Sequence, residues 1–347
     1  MSHDAAGWLL GGAVRLLPDG RREWGRAMHA ELAGIGPVGA RWRFALGCLG
    51  VVTRQRMTLR AVGYLVLAAG VLAGVVGLTR TIAYAPLRGG LIALVSILVA
   101  MSWLGRRRAV FGPVRTGRAA RLAAAGAYLL VGAMALTIVL DMRGPGLANP
   151  DDKATNGVPI YTVLLTLYLV GFLAATAHRC AATGRVLATG VASGLGATAC
   201  WLALVLAMGS IPADLGPALG FIGVAMGVAG FVNSGRRGSA ALGQLAGLFA
   251  GAVAALLIVI VVWGLAGYGP ASLIPDLAPA ALSPAADLAQ SRVEINDPYV
   301  GLLALGCLAA AALTAVSVAT RRPASDDHRA LPAGELMKAR MRATSGS

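Results

Sequence analysis

Lysine is nearly missing from this chain. Of its 30 basic residues only Lys153 and Lys338 are lysine, and charged residues of both signs make up 13% of the sequence, against about a quarter in soluble domains. That scarcity excludes an ordinary soluble fold. Histidine is just as thin. His3, His29, His178 and His328 stand far apart, with no HExxH pair and no Cys/His spacing suited to zinc, so no metal site is expected. Cys48, Cys180, Cys200 and Cys307 are equally scattered, and no disulfide is expected. Serine and cysteine nucleophile motifs are missing too, and no acid, base and metal-binding groups converge. The chain is therefore read as non-enzymatic and without a cofactor. Its first residues lack both a basic n-region and a small-residue cleavage site, which argues against a cleavable signal.

Apolar residues are abundant instead, at 57% of the chain, and the mean hydropathy is +0.72. They gather in eight runs, about 61–79, 84–104, 122–140, 157–177, 186–208, 215–232, 242–265 and 299–319, near the roughly 20 residues a helix needs to cross hydrocarbon. The expected fold is all-α, a polytopic integral membrane bundle over 61–320. A small helical cap over 1–60 precedes it, and a polar tail over 321–347 follows. The net charge of +15 and pI near 10.9 would suggest nucleic acid in a soluble chain, but here charge must first be sorted by side. Twenty-five basic residues fall on the side of the two termini and five on the other. By the positive-inside rule both termini are then cytoplasmic, in a multi-pass cell-membrane protein. No nucleic-acid partner is expected, and anionic lipid at the cytoplasmic face is.

The most basic block precedes the first span. From Leu16 to Arg60 it holds eight arginines and no lysine. A short helix over 5–17 should end at the Pro18, Asp19 and Gly20 turn, and a second helix from Arg21 places Trp24, Met28, Leu32 and Ile35 on one stripe. A third, about 39–60, contains an apolar run of only nine residues from Phe44 to Val52, too short to span. Three readings of this cap remain open. The stripe can pack against Trp8 or Trp42 as the core of three helices. It can dock a cytoplasmic protein partner. Or, with Arg41, Trp42 and Arg43, the cap can lie on anionic lipid.

Within the spans, no Asp, Glu, His or Lys sits at mid-membrane, where such a residue would mark an ion or proton path. Arg88, about a turn inside the outer boundary, either binds an anionic group or snorkels to the headgroups. Tyr161, Thr162, Thr166 and Tyr168 on the fourth span and Gln244 on the seventh either line a cavity or bond between helices. Gly70 and Gly74 stand in small-xxx-small register on the first span, and Gly243, Gly247 and Gly251 form a ladder on the seventh, which is expected to be central. In the long loop before the last span, Ser283 followed by Pro284 should start a short helix.

The segment PDGRREWGRAMHAELAGI followed by ARWRFALGC resembles the N-terminal region of a group of actinobacterial integral membrane proteins, in which these two helices precede a set of spans. The likeness rests on Arg21, Arg22, Glu23, Trp24, Met28, Glu31, Leu32, Arg41, Trp42, Arg43 and Phe44. It implies a membrane protein with a cytoplasmic helical segment and confers no activity. The expected role is regulatory or scaffolding, through a cap that docks a partner or the inner leaflet. The alternative is a permease or exporter for an apolar or weakly polar small molecule.

Overall fold

The computed structural model describes residues 5–15, 22–53, 56–106, 110–143, 150–235, 239–277 and 283–321. Most of these residues are helical, with no strand among them, and the protein is an all-α polytopic helix bundle. The expected turn at Pro18, Asp19 and Gly20 and the tail beyond Arg321 lie outside the described residues.

Two compact units divide the chain, Met1–Gly77 and Leu78–Ser347. The first holds α1 (Ala5–Arg15), α2 (Arg22–Gly34), α3 (Val38–Thr53) and most of α4 (Arg56–Thr79). Proline sets the joint between α2 and α3. Lacking an N–H, Pro37 cannot extend α2, yet its carbonyl opens α3 by accepting from Ala40 N and Arg41 N at 3.0 Å each. Along α4, no heavy atom lies within 4 Å of where a Cβ would stand on Gly70 or Gly74. Within this unit the small-residue ridge is therefore not a helix contact, because α1, α2 and α3 pack on one another and not along it.

The second unit begins with α5 (Ala85–Gly105) and α6 (Arg118–Asp141). The short α7 (Pro150–Asp152) then runs through a π-helical turn, Lys153–Gly157, into α8 (Val158–Ala175). After these come α9 (Gly184–Met208), α10 (Gly216–Ser234), α11 (Ala240–Tyr268), α12 (Pro284–Glu294) and α13 (Asn296–Ala319). Proline occupies the first turn of α5, α10 and α12, where its missing N–H costs nothing. At the other end of α9, Gly209 takes φ 72° and its N–H reaches Val205 O at 2.9 Å, the left-handed stop that favours glycine.

Among the described residues eight helices are long and apolar enough to cross a membrane. The last of these runs is 36 residues, Pro284–Ala319, about 54 Å of helix and nearly twice the hydrocarbon thickness. Its first part, α12, carries Asp287, Arg292 and Glu294, so α13 is the crossing segment.

Packing centres on α11, which touches α6, α8, α9, α10 and α13. Its glycine ladder faces α10: a Cβ on Gly243 would come within 2.8 Å of Gly230 O, one on Gly247 within 2.9 Å of Met226 O, and one on Gly251 within 2.7 Å of Met226 Sδ. On an adjacent face of α11, α9 supplies the small residues. There a Cβ on Gly190 would meet Ala246 O at 3.0 Å, and one on Gly194 would meet Ala250 O at 2.9 Å. Backbone against backbone is how helices associate where lipid tails are as apolar as side chains.

Polar bonds lash α8 to α13 in a reciprocal pair. Tyr168 donates from its hydroxyl to Leu303 O at 3.2 Å, and Cys307, one turn beyond Leu303, offers its thiol back to Leu164 O at 3.7 Å. A Cβ on Gly306 would collide with the Tyr168 hydroxyl. Replacing Gly247 by valine should force α10 off α11 and destabilise the purified protein by roughly 1–3 kcal/mol. Gly220→Val, at a glycine with nothing within 4 Å, should leave the melting temperature in detergent unchanged.

Candidate functional site

The N-terminal unit has a core of its own. Leu10 of α1 and Met28 and Leu32 of α2 are 1%, 7% and 1% exposed, with Val14, Ile35, Phe44 and Cys48 packed around them. The tryptophans stand outside: Trp8 is 85% exposed, Trp24 39% and Trp42 38%. The stripe on α2 therefore packs on Leu10 and Phe44, not on Trp8 or Trp42, because α1 turns Leu10 inward and Trp8 outward. Met28 and Leu32 are held in the core, and of the three α2 residues expected to dock a partner or lipid Trp24 stands on the surface.

Arg41 is half-buried and engaged within the cap. Its Nη1 donates to Ile35 O at 2.9 Å, beside the free carbonyls at the end of α2, where a cation is favoured by the helix dipole. Arg43 is exposed. Two residues of α3 outside the expected stripe stand on the surface: Val38 is 72% exposed and Leu46 54%. The signal was present in the sequence, since 38, 42 and 46 are spaced by four and fall near one face of α3. Cys48 lies between core and surface, and burial, reinforced by the negative charge of Glu31, pushes its thiol above the usual range.

In the second unit arginines fasten one end of the bundle. Arg106 follows α5 and donates from Nε to the Tyr128 hydroxyl of α6 at 2.8 Å and from Nη2 to Thr176 Oγ1, just past α8, at 2.9 Å. Its guanidinium also lies 5.6 Å from the centre of the Tyr128 ring. One side chain thus grips three helices. Beneath it, the crevice lined by Ala124, Ala127, Leu169, Phe172 and Leu173 is too narrow for water to enter.

Arg115 does similar work on the loops. Its Nη1 donates to Cys180 O at 3.0 Å and Ala182 O at 2.9 Å. Val114 bridges to Ala177, and His178 N donates to Pro113 O at 3.0 Å, so the segment before α6 is strapped to the segment after α8. Gly117, at φ 122°, makes the turn into α6 that a side chain would strain. Arg321 closes the set, with its guanidinium 5.4 Å from the Phe111 ring. At the same end Arg118, Arg121, Arg179 and Arg185 are exposed.

Arg88, Tyr161, Tyr168 and Gln244 do not come together. Arg88 is exposed on the first turn of α5, and Gln244 is exposed on the first turn of α11. These turns belong to opposite ends of the bundle. Tyr161 is buried edge-on against Trp263, with ring centres 5.7 Å apart and planes at 88°. Tyr168 is in the bond to Leu303 already described. Thr162 bonds back to Val158 O at 2.8 Å, within its own helix.

At the end of the bundle opposite Arg106, Arg292 of α12 donates to Ala266 O and, at 2.8 Å, to Gly269 O, closing the C-terminus of α11. Tyr299 donates to Pro212 O at 3.0 Å, and Ile211 N to Leu273 O at 2.8 Å. Tyr84 donates to the Asp151 carboxylate beside the π turn.

No family model, no curated protein and no solved structure matches this chain.

Tyr128→Phe removes one hydrogen bond to a charged group and should cost about 1.5–3 kcal/mol in thermal unfolding. Combined with Thr176→Val the loss should be less than additive, since both partners hold the same guanidinium. Cys48 should alkylate slowly at neutral pH and faster as pH rises, because its raised pKa leaves little thiolate. Glu31→Gln removes the neighbouring negative charge, lowers that pKa and should speed the reaction at neutral pH, read by mass spectrometry of iodoacetamide adducts.

Proposed function

We propose that this protein is a regulatory or scaffolding membrane protein with no catalytic centre, whose N-terminal helical cap is its working surface. The observation that carries the reading is the division of labour inside the cap. A closed core of Leu10, Met28 and Leu32 makes the unit self-supporting, while three tryptophans stand on its outside. Aromatic anchors with one apolar body and one polar edge are enriched at interfaces with proteins and with membranes. The charge distribution supports a cap in the cytoplasm, both termini on that side of the cell membrane, and anionic lipid beneath it.

On this reading the exposed Trp24 side of α2 docks a cytoplasmic protein partner. A permease or exporter has less support, because Arg88 and Gln244 lie at opposite ends of the bundle and the two tyrosines are engaged in packing and bonding between helices. The test is co-purification in mild detergent of the full chain and of Trp24→Ala, which leaves the core intact. A protein retained by the native chain and reduced at least about tenfold by the variant, the loss of one interface anchor, is the expected result. Equal recovery from both, or no partner with either, overturns docking through α2.

A further inference from the structure

Helix α3 has two apolar faces, and only one is used inside the cap. Ala45 is fully buried, with Phe44 and Cys48 on the core beside it. Val38, Trp42 and Leu46 form a second stripe that is 72%, 38% and 54% exposed. They drift by about 40° per step of four residues, so all three fit under one flat surface. Arg43, also exposed, stands next to Trp42.

Chain length limits what that surface is. Two residues separate the end of α3 at Thr53 from the start of α4 at Arg56, a reach of about 11 Å. The apolar span within α4 begins at Val62, about 9 Å of helix further on. The C-terminal end of α3 is thereby tethered close to the headgroup layer, which is about 5–8 Å deep on each side. Charge favours the same neighbour: residues 1–60 carry nine arginines and four acids, and Arg54, Arg56 and Arg60 fall at the junction itself.

We infer that α3 lies on the bilayer surface with Val38, Trp42 and Leu46 in the acyl boundary, and that Arg43 binds the phosphate of anionic phospholipid. This rests on the reading of the cap as a docking unit and assigns α3, as distinct from α2, to lipid. Tryptophan suits that depth, since its ring sits at the headgroup level. An in-plane helix with an apolar stripe and flanking arginines binds through buried area and attraction to anionic lipid together.

The test places the photo-reactive amino acid benzoylphenylalanine at position 46 of the full-length protein. A second version carries it at 38, and a control carries it at 67, an exposed position on the spanning part of α4. Each is reconstituted in vesicles of phosphatidylcholine mixed with phosphatidylglycerol, irradiated and analysed by mass spectrometry, and then repeated in native membranes. Positions 46 and 38 should yield phospholipid adducts, with phosphatidylglycerol about fivefold over its share of the bilayer, as expected for one arginine at the surface. Arg43→Gln should reduce that enrichment, and position 67 should show lipid without it.

Adducts from 46 and 38 to protein, whether another chain or this one, overturn the inference and leave the docking reading standing. Absence of adducts at both, with the control labelled, overturns it too. Lipid adducts without enrichment overturn the anionic part. The docking reading itself fails separately, by equal recovery of partners with Trp24→Ala.

Discussion

Hydrocarbon offers a helix no reward for hiding apolar side chains, and the bundle depends on a different attraction, the close approach of one backbone to another. Helix α11 receives that approach from two sides. It offers Gly243, Gly247 and Gly251 to α10 and takes Gly190 and Gly194 from α9. With both neighbours drawn in, α6, α8 and α13 complete the ring. Polar groups in hydrocarbon need partners of their own, and the interior meets that need in part, since Thr166 Oγ1, Trp201 Nε1, Trp263 Nε1 and Ser317 Oγ are buried without one. Thr198, Thr314 and Asn233 bond back to carbonyls one turn earlier on their own helices. The hydroxyl of Tyr168 and the thiol of Cys307 cross to a neighbour instead.

Much of this architecture is legible in the sequence, and the reason is that membrane thickness turns hydropathy into a ruler. Eight apolar runs become eight helices long enough to span, and Ser283 with Pro284 stands at the start of α12. What hydropathy cannot convey is which neighbour a small residue meets. Gly70 and Gly74 have the same register as Gly243 and Gly247, yet the first pair has nothing within 4 Å and the second touches main chain. Spacing describes a ridge on one helix, and contact needs a second helix whose choice depends on the whole bundle.

The arginines show the same limit. Counted along the chain they report sidedness alone. In three dimensions Arg106, Arg115 and Arg41 donate to oxygens tens of positions away or just around a corner, and these bonds depend on where the helix ends finally rest. A cation with five donors can satisfy several carbonyls at once, which makes the rim of the bundle a natural place for it. The arginines Arg118, Arg121, Arg179 and Arg185 of the same end are exposed instead, and for them counting offers an expected side of the membrane. One residue type thus does two kinds of work, and burial separates them.

The π turn at Lys153–Gly157 buries none of its side chains. Such a turn holds one residue more than a regular helical path requires. Deleting any one of the five would remove that extra residue and swing α7 around its axis by about 100°, carrying Asp151 away from Tyr84. Selection on this stretch should therefore act on its length more than on its letters.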